Sequence, residues 1–295
     1  MDINEYLKRM REPVEGFLQA RMDNKKKDKR CPRQLQESMA YSLMAGGKRI
    51  RPIFCIASYE AAGGGSSEII PVASAIELIH TYSLIHDDLP SMDNDDLRRN
   101  KPTNHKVFGE ASAILAGDAL LTDAFSIITE SELPPDILLR IINELSLACG
   151  PEGMVGGQIV DILLEGEKAS KDDIYYIHTH KTGALIRCAI RIGAFIAGAS
   201  AENLELLTTY GEKVGLAFQI IDDILDVTGT KDELGKPTGS DSLSGKNTYP
   251  SLFGLDESIN ISKGLIGDSI RSIKGLNGTA NTLIELATYI LERRN

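Results

Sequence analysis

Through most of the chain apolar residues recur three and four positions apart, which is the spacing of a helix with a buried face. The pattern predicts helices over residues 69–89, 112–129, 135–148, 171–198 and 201–228. Alternating runs bounded by hairpin turns, the mark of strands, are not evident. The interruptions are short: Gly63-Gly64-Gly65, Pro134-Pro135, Gly150-Pro151 and a polar run over residues 229–246. No fixed-period repeat or low-complexity linker divides the chain. The expectation is one all-α domain over residues 1–295, a large helical bundle with its site between facing helices. The first thirty residues, with Lys25, Lys26 and Lys27, read as a solvated helix and loop.

Composition narrows the class. Hydrophobic residues at 42% and charged residues at 25% are ordinary for a soluble globular protein. A formal net charge of −10 argues against non-specific nucleic-acid binding, which needs a basic face. It does not exclude an anionic substrate, because metals and local cations set the sign at a site. Cys31, Cys55, Cys149 and Cys188 lack zinc or CxxC spacing, so reduced thiols and a cytoplasmic location are expected. Neither a signal peptide nor a stretch of membrane-spanning length is read from the sequence.

The chemistry lies in two aspartate clusters set in apolar stretches: Asp87, Asp88 and Asp93, and then Asp222, Asp223 and Asp226. Carboxylates in such surroundings are costly unless compensated. Mg2+ relieves their repulsion through oxygen ligands while sharing its shell with substrate phosphates. The first cluster follows His80 by two helical turns, and Pro90 ends or distorts the helix, letting Asp93 return toward Asp87. It is no EF-hand, since the sixth and twelfth positions from Asp93 are Arg98 and Asn104. In the second, Asp222 and Asp226 stack four apart, with Gln219 on the same side. Like charges at that spacing cost a helix roughly 0.2–0.5 kcal/mol, and the stripe Leu216, Phe218, Ile220, Ile221, Ile224 and Leu225 points to burial, where repulsion is worse. Metal ligation is the favoured reading.

Cationic groups are placed sparingly. Gly46-Gly47-Lys48-Arg49-Ile50-Arg51-Pro52 lets backbone approach an anion, Arg98 and Arg99 suit bidentate phosphate contacts, and Lys181, Lys231, Lys236 and Lys246 follow. Each is weak alone. Together with two carboxylate clusters they fit a site holding two diphosphates.

On these motifs the chain resembles the trans-isoprenyl diphosphate synthases, in particular the bacterial farnesyl and plant-type geranylgeranyl group. The likeness runs in order through Gly46–Pro52, Glu77 with His80, the first aspartate cluster with Arg98-Arg99, Gly117-Asp118, Gly156-Gly157-Gln158 with Asp161, Lys181-Thr182, Phe218–Asp226 and Lys246–Pro250. It implies an isoprenoid-synthase bundle with a central cavity, about three Mg2+ ions per site, isopentenyl and allylic diphosphate substrates, and a homodimer. Asp87, Asp93 and Asp222 would ligate the metal, with Asp88, Asp223 and Asp226 in or just behind its shell. Arg98, Lys181, Lys236 and Lys246 would bind the allylic diphosphate. Lys48, Arg51, His80 and Arg99 would hold isopentenyl diphosphate, and Thr182 and Gln219 would face the carbon where positive charge develops.

Product length is read from Tyr82, five residues and about 7.5 Å of helix before Asp87, with Ser83 beside it. A large aromatic there, with four residues between the aspartates, resembles synthases of the C15 product. Geranylgeranyl diphosphate synthesis is the alternative, followed by a non-catalytic partner subunit. Asn100 stands where relatives often carry glycine. The Gly229–Lys246 run is expected to act as a lid, and Arg293-Arg294 either closes over a diphosphate or is solvated.

Overall fold

The computed structural model describes residues 2–229, 246–276 and 280–293. Lys231, Lys236, Arg294 and most of the expected lid therefore lie outside the described residues. What is described is helical apart from one minimal hairpin. It divides into two compact units, Met1–Ile53 with Ser67–Leu138, and Phe54–Ser66 with Leu139–Asn295.

In the first unit, Ile69–Asp87 forms α4, provided that α1 (Ile3–Lys27), α2 (Arg33–Leu43) and α3 (Ile50–Ala61) are counted first. α4 is apolar on nearly every side, with Val72, Ile76, Ile79 and Ile85 all buried, so it must be covered all round. α6 (Glu110–Thr129), reached through the short α5 (Asn104–Phe108), and α1 pack on it. By length and apolarity α4 and α6 would each suffice to cross a membrane, although the sequence reading found no such stretch. Within this unit α4 is a packed core helix, whereas α6 buries one face against it and leaves Ile114 and Leu115 exposed.

α1 is not merely solvated. Asp2 caps it by accepting from Asn4 N at 2.9 Å, and Tyr6, Val14, Leu18 and Met22 bury one face. Arg21 and Lys25 both reach the buried Asp123 of α6, at 2.7 and 2.8 Å. The lysine run thus places one of its members in an ion pair, while Lys25–Lys27 also sit favourably at the negative end of the helix dipole.

The hairpin pairs β1 (Leu97–Arg98) with β2 (Lys101–Pro102). Its two turn residues, Arg99 and Asn100, have φ of 54° and 59°, as a two-residue hairpin turn of this hand requires. That geometry explains why glycine would serve at position 100, and asparagine is the side chain that tolerates it best. Asn100→Gly should raise stability by about 0.5 kcal/mol. A thermal melt unchanged or lowered would show that the asparagine side chain contributes a bond of its own.

The second unit is built on α11 (Ala201–Thr228), a 28-residue helix capped by Ser200 through Asn203 N. It is preceded by α7 (Pro135–Cys149), α8 (Met154–Leu163), α9 (Lys171–Ile177) and α10 (Ala184–Ile196), and followed by α12 (Tyr249–Phe253), α13 (Leu255–Ser272) and α14 (Asn281–Glu292). α10 and α13 pack on α11, and Tyr210 of α11 donates to Leu283 O of α14 at 2.6 Å from a fully buried position. Residues 171–198, predicted as one helical stretch, are interrupted: His178–Gly183 adopts a π-helix between α9 and α10. Such π segments insert a residue into the helical register and concentrate where side chains are re-aimed.

Candidate active site

The first unit gathers the residues expected to hold one diphosphate. Arg51, in the first turn of α3, places Nη1 3.3 Å from His80 Nε2 on α4. Burial, reinforced by Arg51 and Arg99, holds the His80 imidazole well below its ordinary range, so it is neutral at pH 7. Arg99 extends from the hairpin turn onto the glycine loop, where its Nη1 donates to Gly46 O. A Cβ on Gly47 would sit 2.8 Å from the Arg99 guanidinium carbon, and φ there is +129°. Only glycine permits that approach. Lys48 is exposed on the same loop.

The first aspartate cluster forms as the proline implied. α4 stops at Asp87, and the chain turns so that Asp93 N donates to Asp87 O at 2.9 Å. Asp88 points elsewhere. Its carboxylate is buried and accepts from Arg98 Nε at 2.9 Å, and Arg98 also reaches Asp95 at 3.3 Å. Burial pushes the Asp88 carboxyl up against the pull of Arg98. Arg98, read as a phosphate ligand, thus spends its fork on carboxylates. Tyr82 is buried and meets the His86 ring edge-on at 5.7 Å, while His86 Nε2 contacts Ile114 O of α6 at 3.0 Å. Ser83 bonds back to His80 O at 2.9 Å.

In the second unit the π-helix carries Lys181 and Thr182. Lys181 Nζ lies 2.6 Å from Asp161 of α8. One turn earlier on α8 is Gly157, where a Cβ would come within 2.2 Å of Lys181 N, so the two backbones pack directly together. Thr182 Oγ1 donates to Gln219 Oε1 at 2.7 Å, and Gln219 Nε2 donates to Asp223 Oδ1 at 3.0 Å. The other oxygen, Asp223 Oδ2, accepts from His178 Nε2 at 2.8 Å and from Tyr249 N at 2.9 Å. Asp223 is therefore a hub joining the π-helix, α11 and the start of α12. Tyr249 lies against the His178 ring, and burial pushes its hydroxyl up to about 12. Lys246 lies three residues before α12, on a segment that Asn247 ties to Leu164 O at 2.9 Å.

Two pairings were not read from the sequence, that of His178 with Asp223 and that of Arg293 with Asp222. His178 had a signal: it stands four residues before Thr182, as Gln219 stands four before Asp223, so two polar i,i+4 pairs face each other across apolar helices. Arg293 is neither solvated nor apart from the cluster. Just past α14, its Nη2 donates to Asp222 Oδ1 at 2.6 Å and Phe218 O at 2.8 Å, with the guanidinium over the Phe218 ring at 3.9 Å.

Among the described residues no three His, Cys, Asp or Glu side chains form a cage for a metal. Mg2+ needs none, since one or two carboxylates suffice beside substrate phosphates and water. Asp87 with Asp93, and Asp222, whose side chain is 40% exposed, offer the hard oxygen donors it prefers. A guanidinium already lies on Asp222, so that carboxylate accepts a cation in this structure. Asp223, by contrast, has both oxygens engaged.

The polyprenyl synthetase family model matches residues 32–276. The chain is 50% identical over 258 residues to a farnesyl diphosphate synthase of Geobacillus stearothermophilus, covering 86% of each. It is 45% identical over 293 residues to a geranylgeranyl diphosphate synthase of Cyanophora paradoxa, covering 98% of this chain and 96% of the relative. A crystal structure of an FPP/GFPP synthase from Zymomonas mobilis matches with a TM-score of 0.85 at 36% identity, covering 99% of this chain and 100% of that one.

Proposed function

Since this chain belongs to the polyprenyl synthetase family and is a prenyltransferase, we propose that it condenses isopentenyl diphosphate with dimethylallyl and geranyl diphosphates and stops at farnesyl diphosphate. The observation that carries the C15 endpoint is Tyr82, buried on α4 one and a half turns before Asp87 and braced edge-on by His86. By the family likeness its ring would stand at the depth that a longer chain would have to enter.

The chain's own residues supply the rest. Lys48, Arg51 and Arg99 neutralise the diphosphate of isopentenyl diphosphate, and His80, held neutral, donates a hydrogen bond without adding charge. Asp87, Asp93 and Asp222 are the proposed Mg2+ ligands, with Asp226 one turn behind Asp222. When bound, Mg2+ stabilises the negative charge that builds on the departing diphosphate. By the family likeness Arg98, Lys181, Lys236 and Lys246 would bind the allylic diphosphate, the carboxylate partners of Lys181 and Arg98 exchanging for phosphate oxygens on binding. The Thr182–Gln219 pair presents oxygen dipoles toward the allylic carbon as it becomes cationic. The isopentenyl double bond then attacks, and loss of a proton gives the product longer by five carbons. A cytoplasmic homodimer is proposed on the family likeness alone.

Labelled isopentenyl diphosphate with Mg2+ and dimethylallyl, geranyl or farnesyl diphosphate as primer tests the reading. A C15 endpoint with farnesyl diphosphate a poor primer is expected. A C20 endpoint would make this a geranylgeranyl diphosphate synthase, and no elongation with any primer would make it a non-catalytic subunit. Tyr82→Ala should move the dominant product to C20 or longer, and an unchanged product would remove Tyr82 as the floor.

A further inference from the structure

Between the exposed Lys48 and the buried Arg51 lies Arg49, which the proposed mechanism does not use. Its side chain is 0% exposed, and three of its nitrogens have protein acceptors. Nε donates to Glu15 Oε1 at 2.7 Å, Nη1 to Glu77 Oε1 at 2.7 Å, and Nη2 to Leu43 O at 2.6 Å. Burial alone would lower its pKa, yet Glu77 and Glu15 raise it, so it stays charged. That charge is balanced by carboxylates and cannot reach a substrate anion.

The geometry points to a mechanical role: we propose that Arg49 is a positioning residue for isopentenyl diphosphate, a buried strut that holds the Lys48–Arg51 loop against the helix carrying His80. Glu77 and His80 are one turn apart on α4, on the same face. Arg49–Glu77 and Arg51–His80 are therefore two parallel ties between the start of α3 and α4, the first buried and charge-assisted, the second at the binding surface. Glu15 and Leu43 O fix the guanidinium from α1 and the end of α2, so it cannot swing. The backbone agrees. Arg49 has φ of 51°, a left-handed conformation that a non-glycine residue keeps only where its surroundings over-determine it. Its carbonyl accepts Ile53 N at 3.1 Å, closing the first turn of α3. With Gly46 and Gly47 also at positive φ, the loop has no regular hydrogen-bond ladder to set its shape, and the Arg49 fork sets it instead.

The inference rests on the reading that Lys48, Arg51 and His80 take isopentenyl diphosphate. Its test is a split in Michaelis constants, with direct calorimetric binding of isopentenyl diphosphate alongside. A buried ion pair replaced as a unit by apolar residues of similar volume often keeps the fold, whereas removing one partner does not. Arg49→Met combined with Glu77→Leu should retain a cooperative melt. The KM for isopentenyl diphosphate should rise at least about tenfold while that for the allylic primer changes less than about twofold. Glu77→Gln, which keeps the shape and one acceptor, should give an intermediate rise of about threefold. Equal rises in both constants would show a general structural role and overturn the proposal, as would unchanged binding in a folded double variant. If the double variant fails to fold, an unchanged KM in Glu77→Gln overturns it. A parent protein that binds no isopentenyl diphosphate overturns the functional reading first, and this inference with it.

Discussion

Asp87→Ala and Asp222→Ala are each expected to lower kcat by roughly three to four orders of magnitude, about 4–5.5 kcal/mol of barrier, while leaving the melting temperature within a few degrees of the parent. The kinetic half follows from the charge at stake, since each substitution removes a proposed ligand of the cation that stabilises the leaving diphosphate. The stability half follows from exposure. The Asp222 side chain is 40% exposed although that of Arg293 is only 5% exposed, so the half-buried pair contributes about 1–2 kcal/mol. Its removal also relieves repulsion with Asp226 one turn on, and Arg293 keeps Phe218 O as an acceptor. Single-turnover kinetics with geranyl diphosphate, run beside a thermal melt, separates the two halves. Parent-like turnover in either variant would take that aspartate out of the reaction.

One residue further along, the same substitution should fail in a different way. Asp223→Ala strands His178 Nε2, Gln219 Nε2 and Tyr249 N, all of which lose their acceptor in a buried setting. At about 1–3 kcal/mol for each donor left without a partner, offset in part by rotamer relaxation, a loss of roughly 3–5 kcal/mol is expected. For a chain of this size that lowers Tm by about 10 °C. Differential scanning calorimetry of Asp222→Ala and Asp223→Ala side by side makes the comparison. A shift below about 2 °C for Asp223→Ala would mean that water or neighbouring carbonyls replace the carboxylate, and that Asp223 does not organise the second unit.

Much of this was legible before any coordinates. The run predicted over 201–228 has the bounds of α11, and those over 112–129 and 135–148 lie within two residues of α6 and α7, because a 3.6-residue rhythm of burial is written directly into the side chains. Pro90 announced the return of Asp93. What periodicity could not give was register and partnership. The π-helix at His178–Gly183 leaves apolar spacing nearly intact while re-aiming Lys181 and Thr182. The engagement of Asp88 by Arg98 and of Asp223 by His178 separates chemically identical neighbours, a distinction that depends on donors 10 and 45 residues away. Arg49 illustrates the same gap, since its sequence neighbours mark it as one more cation for an anion site, and only the carboxylates of Glu15 and Glu77 reveal that its charge is already balanced.

The stacking of Arg293 on Phe218 has an optical use. The chain contains no tryptophan, so Phe218→Trp would install a single indole directly beneath a guanidinium that also holds Asp222. Indole emission responds to a cation on its face, and a divalent ion arriving at Asp222 must compete with that guanidinium. Fluorescence of such a protein would report whether an ion reaches the second aspartate cluster, with or without a diphosphate present and with no turnover, a readout the natural chain lacks.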